Sequence, residues 1–171
     1  TCALPISENG GISPGPNAIM SNLPADEIIR RLDWALGRFS GYVGINNHMG
    51  SRFTANHQGM AIVLKEIAKR GLLFLDSRTT RHSVAARMAG DLGIPFAERH
   101  VFIDGDPDPA VIASQLRALE RGAVRDGYAV GIGHPRDNTL DALERWLPAL
   151  AARGFALVPI STVVRFRQKE R

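Results

Sequence analysis

The sequence predicts an α/β fold built on parallel strands, and three observations predict it. Short apolar runs at 42–45, 72–75, 100–103, 128–133 and 155–160 alternate with longer segments that carry apolar residues at helical spacing. The runs are apolar throughout rather than alternating, as strands are when both faces of a sheet are buried. Each run also ends on polar residues, which in parallel α/β folds is where ligands bind.

In chain order, residues 1–22 are rich in Gly, Pro, Asn and Ser and read as irregular. Residues 24–39 have Pro24 at the start, Asp26 and Glu27 just after it, and Ile28, Leu32, Leu36 and Phe39 on one face, which predicts an amphipathic helix. A strand at 42–45 leads to a helix over 56–71 that ends in basic residues and is capped by Gly71. A strand at 72–75 follows, then a helix around 81–91 with Val84 and Met88, stopped near Gly93. The strand at 100–103 precedes a helix over 109–124 whose face carries Ile112, Leu116, Leu119 and Ala123. The strand at 128–133 precedes a helix over 138–154 with Leu140, Leu143, Leu147 and Leu150 in line. The run 155–160 reads as the last strand and 165–171 as a basic tail. Connections between parallel strands are expected to be right-handed.

Bulk properties narrow the function classes. A chain of 171 residues, 44% hydrophobic and 22% charged, buries a real core and is not disordered. The net charge of +4 invites a nucleic-acid partner. Yet the basic residues are scattered among carboxylates, and aromatics, at 6%, do not alternate with them, so a stacking surface for nucleic acid is not expected. Cys2 is the only cysteine, which excludes an intrachain disulfide and a cysteine metal site. No run reaches the ~18–20 apolar residues of a membrane span, and no signal-peptide pattern opens the sequence.

The strand ends carry the chemistry. After 42–45 come Asn46, Asn47 and His48; after 72–75, Asp76, Ser77 and Arg78; after 100–103, Asp104 and Asp106; after 128–133, His134. Two histidines and two aspartates at strand ends are the parts of a metal site or of acid–base hydrolysis. Asp76 and Asp104 also suit helix caps, and capping is the preferred reading for Asp104. His134, between Gly133 and Pro135, sits where the chain is rigid, which favours a positioned group. His57 and His82 lie at helix starts and read as surface residues; His100 begins a strand, at the opposite end from the site.

Several of these segments together resemble one family. "GINNHMGSRFT" (44–54), "LLFLDSRTT" (72–80), "VFID" followed by Asp106, "GIGHP" (131–135) and "WLPAL" leading to "GFALVPIS" are similar to the divergent polysaccharide deacetylases over residues 14–164. The resemblance implies a distorted (β/α) barrel related to metal-dependent carbohydrate esterases that remove acetyl groups from polysaccharides. It implies a divalent metal, usually zinc, held by an Asp and two His, a carboxylate general base, and a late-strand His that protonates the leaving group. Carried over, His48 matches the metal-ligand histidine and His134 the general acid. Asp76 and Ser77 match an Asp-Ser pair that orients His134 or touches substrate, and Asn46 and Asn47 match residues that position the ligand or bind sugar hydroxyls. The implied partner is a polysaccharide or oligosaccharide, and the implied location is periplasmic or extracellular.

The family pattern also begins with a strand ending in an Asp-Asp pair and a further His-bearing strand, and residues 1–12 contain no Asp and no His. The expectation is therefore a truncated member lacking its first strands, with 1–13 irregular, 14–164 a partial deacetylase domain and 165–171 a tail. Such a chain would be inactive by itself, its zinc or other divalent metal held in a full-length parent and weakly or not at all here. Two other readings stay open: a non-catalytic glycan-binding or cell-envelope interaction domain on the same fold, and an unrelated hydrolase using His134 and Asp76 without metal.

Overall fold

The structure, a computed structural model, describes residues 2–5 along the backbone and residues 17–169 throughout. The chain divides into two compact units, Thr1–Glu98 with Val164–Arg171, and Arg99–Val163.

The first unit carries a four-stranded sheet in the order β1-β2-β3-β4: β1 (Cys2–Pro5), β2 (Gly44–His48), β3 (Leu73–Asp76) and β4 (Phe96–Glu98). Every neighbouring pair is parallel. Helix α1 (Ala25–Leu36) starts after Pro24, with Asp26 and Glu27 in its first turn, where carboxylates complement the helix dipole. A single turn, α2 (Ser51–Thr54), follows β2. Helix α3 (His57–Lys69) is capped by Asn56, whose side chain accepts from Gly59 N at 2.9 Å, and Gly71 beyond its end takes φ 64°. Helix α4 (Ala85–Asp91) is stopped at Gly93, φ 67°. The periodic residues do what their spacing predicts: Ile28 and Leu32 of α1, Met60, Leu64 and Ile67 of α3, Ile45 of β2, Phe53 of α2 and Phe74 of β3 bury together.

The second unit pairs β5 (Val101–Phe102) with β6 (Gly131–Ile132), again in parallel. Helix α5 (Pro109–Asp126) has Asp108 as its N-cap, accepting from Ala110 N at 2.7 Å, and Pro109 at its first position. Helix α6 (Asp137–Trp146) runs on into two 3₁₀ turns, Leu147–Ala149 and Ala151–Arg153. Ile103, Ile112, Leu116 and Ala142 form this unit's core, with Leu143 and Trp146 packed against them. Helix α7 (Ile160–Lys169) closes the described chain.

Several elements differ from the sequence expectation. The opening segment is not wholly irregular: Cys2–Pro5 is a strand that pairs with β2 from Ile45 to His48, while the rest of 1–13 lies outside the described residues. β4 was not anticipated, because Phe96–Glu98 is short and follows Pro95 with no apolar run. The run at 155–159 is not a strand; Leu157 is 70% exposed, and Pro159, which has no N–H to give a ladder, accepts from Thr162 N at 2.9 Å to open α7. Pro148 ends the regular part of α6 early, and its buried face holds Thr139 and Ala142 while Leu140 and Leu147 are exposed. Phe39 lies beyond α1 and is exposed. Most of the basic tail is helical: Arg167 of α7 donates to Phe96 O at 3.1 Å and lies 4.5 Å over the Phe96 ring.

The tightest approach in the sheet is at Gly44. A Cβ there would lie 2.6 Å from the carbonyl oxygen of Leu73, its register partner on β3, as well as against the Leu73 side chain. Gly44→Ala is expected to destabilise the chain by about 1–3 kcal/mol, since relief requires the strands to part. A urea titration should show a lower midpoint with the slope unchanged.

Candidate functional site

The carboxyl ends of β2 and β3 are tied by buried polar groups. Asn47 is completely buried; its Oδ1 accepts from Ser77 N at 2.8 Å and its Nδ2 donates to Met49 O at 3.2 Å. Ser77 Oγ donates to Asn47 O at 2.5 Å and accepts from Asn46 Nδ2 at 3.2 Å. Asp76, also buried, accepts from Arg78 N at 2.7 Å and from Ser83 Oγ at 2.7 Å. Burying such groups is tolerable because each is hydrogen-bonded. The result is a fixed pair of turns, with Met49 at φ 61° and Arg78 at φ 48°, a conformation that costs a non-glycine residue energy. His48 ends β2 and is exposed.

In the second unit, Asp104 and His134 follow β5 and β6 and meet. The Asp104 carboxylate is fully buried, 3.0 Å from His134 Nδ1, and accepts from the His134 backbone N at 2.7 Å and from Thr139 Oγ1 at 3.0 Å. Burial by itself pushes this carboxyl up, but the hydrogen bonds from His134 and Thr139 outweigh it and hold it below the usual value of 3.8. An ionised Asp104 only accepts, so Nδ1 carries the ring proton and Nε2 is the basic nitrogen of the neutral imidazole. Arg136 donates to Asp104 O at 3.1 Å, and the Phe102 ring packs edge-on against His134 at 5.6 Å. Arg136 and Thr139 also line an open cleft of about 240 Å³ with Pro107, Ile112, Asp137 and Asn138.

The structure thus brings Asn46, Asn47 and Ser77 into one network at the ends of β2 and β3, holds Asp76 beside it through Arg78 and Ser83, and gives His134 the partner Asp104. Asp104 is not a helix cap, as the sequence reading preferred; Asp108 caps α5 instead. The signal was present, since Asp104 closes its apolar run as Asp76 closes another. Thr139 was hidden, because it reads as an ordinary first-turn residue. His57 and His82 are exposed, and His100 accepts from Val130 N at 3.1 Å ahead of β5, all as anticipated. Among the described residues no three His, Cys, Asp or Glu side chains gather as metal ligands would. The described donors therefore do not fit the three-ligand site that a catalytic zinc takes.

Parallel strands joined through helices, with polar groups gathered at their carboxyl ends, define an α/β protein. The chain belongs to the divergent polysaccharide deacetylase family, whose model matches residues 3–164. An uncharacterized protein of Haemophilus influenzae is 36% identical over 140 residues, which cover 82% of this chain and 48% of that one. The uncharacterized protein YibQ of Escherichia coli K12 is 36% identical over 129 residues, covering 75% of this chain and 40% of YibQ. The crystal structure of an uncharacterized protein from Agrobacterium tumefaciens C58 superposes with a TM-score of 0.89 at 31% identity, covering 95% of this chain and 66% of that one. The chain spans about half the length of the curated relatives it matches. No helix among the described residues is long and apolar enough to cross a membrane.

Proposed function

We propose that the chain is part of a carbohydrate deacetylase of the cell envelope in which His134 handles the proton of the leaving group. The observation that carries this reading is the contact between His134 Nδ1 and the buried, ionised Asp104 carboxylate, which fixes the ring and directs its chemistry to Nε2. In acetyl hydrolysis, water adds to the acetyl carbon, and the bond to the sugar nitrogen or oxygen breaks as that atom takes a proton. Nε2, basic in the neutral ring, takes up the proton that the attacking water gives up and passes it to that leaving atom. Asp104 is then a positioning residue, and the Asp76 carboxylate, committed to Arg78 N and Ser83 Oγ, positions the turn after β3 rather than exchanging protons.

The test is deacetylation of acetylated chitooligosaccharides by the full-length protein carrying this chain. His134→Gln is expected to lower turnover by about 10²–10⁴-fold with the fold intact by circular dichroism. Unchanged turnover would remove His134 from the chemistry. Glycan binding with no turnover in the unaltered protein would favour the non-catalytic glycan-binding reading instead.

A further inference from the structure

We infer that the exposed rim formed by residues 49–57 and 77–87 binds an anionic polysaccharide. This deepens the carbohydrate reading, from which it takes the sugar; the charge of the sugar chain it takes from the rim. The two segments contain no Asp and no Glu, but they hold Arg52, Arg78, Arg81, Arg87, His57 and His82, all exposed.

Elsewhere several arginines lie beside carboxylates. Arg30 and Arg31 bond Glu27, Arg70 bonds Glu66 and Asp33, Arg125 bonds Asp126, and Arg153 pairs with Glu120. On the rim, Glu98 pairs with Arg78 at 2.7 Å, while Arg87 bonds the His57 ring at 2.8 Å and Arg81 donates to the His82 ring at 3.3 Å. Four exposed guanidinium groups on two short segments without carboxylates attract a polyanion and speed its arrival.

The rim is also held in shape. Ser51 Oγ donates to Thr79 O at 3.0 Å, Thr79 Oγ1 to Met49 O at 3.2 Å, and Val84 N to Thr54 O at 2.9 Å, so the two segments present their guanidinium groups as one surface. Guanidinium forks match carboxylate and phosphate oxygens. Phe53, the one Phe, Tyr or Trp of the two segments, is buried, so the rim lacks the large exposed aromatic platform typical of single-strand nucleic-acid binders.

The experiment is equilibrium binding of the 171-residue chain to four probes at low and high salt: polygalacturonate, neutral dextran, inorganic polyphosphate and a single-stranded DNA oligonucleotide. Polygalacturonate should bind in preference to the other three, and more weakly as salt rises. The double variant Arg81→Gln/Arg87→Gln should weaken that binding by about tenfold, with an unchanged thermal midpoint. Arg117→Gln/Arg121→Gln on α5 should leave it as it was. Equal binding of dextran, equal or tighter binding of polyphosphate or DNA, or an equal loss in the α5 variant would overturn the inference. Because no turnover is read, the outcome upholds or overturns the rim independently of the role given to His134, which the turnover of the full-length protein tests.

Discussion

Asp104→Ala is expected to destabilise the chain by about 3–5 kcal/mol, among the largest losses for any single polar residue in it. The carboxylate is completely buried and accepts from the His134 backbone N–H, lies against the His134 ring and accepts from the Thr139 hydroxyl. Removing it leaves donors in a low-dielectric site without acceptors, and that desolvation cost is not recovered. Asp104→Asn keeps the shape and part of the bonding and should cost less. The two variants also separate by pH. The folded-state pKa of Asp104 is depressed, so its stabilisation is complete above the ordinary carboxylate value near 3.8 and is lost as the pH falls through the lower, folded value. Urea unfolding between pH 7 and pH 2 should show this acid limb in the unaltered chain and a shallower one in Asp104→Asn. Identical pH dependence in the two would mean that another group sets the limb.

Asn47→Ala should cost about 2–4 kcal/mol. The amide lies at the end of β2 with no solvent access, accepting from Ser77 N at 2.8 Å and donating to Met49 O at 3.2 Å. Alanine orphans Ser77 N and leaves Met49 O only the Thr79 hydroxyl as donor, in the turns that carry the basic rim. Beyond the loss of stability, hydrogen exchange at 77–84 should quicken while exchange in α3 stays slow, because the damage is local. Asn47→Asp retains the acceptor for Ser77 N but sets a carboxylate against the Met49 carbonyl, and it should fall between the two. A stability loss below ~1 kcal/mol in Asn47→Ala would show that the turns are held by something other than this side chain.

The sequence by itself determined the parallel α/β class, because burial on both faces makes apolar runs and helices make amphipathic ones, and both patterns are local. It determined α1, α3 and α5 nearly to their ends, since Pro24, Asn56, Asp108, Gly71 and Pro109 act within a turn of where they stand. It also located the polar strand ends, and the resemblance carried by 44–54 and 72–80 led to the family. Tertiary structure decided the rest. Whether 155–159 is a strand depends on a partner with which to form a ladder, and Cys2–Pro5 is a strand only because β2 lies alongside it. The buried face of α6 follows Thr139 toward Asp104 rather than the line of leucines, because an unmet buried carboxylate costs more than exposing Leu140 and Leu147. The partner of His134 was likewise unreadable, since residues 30 apart in the chain meet only when β5 and β6 pair. Roles that depend on who meets whom across the sheet belong to the fold, and no local pattern encodes them.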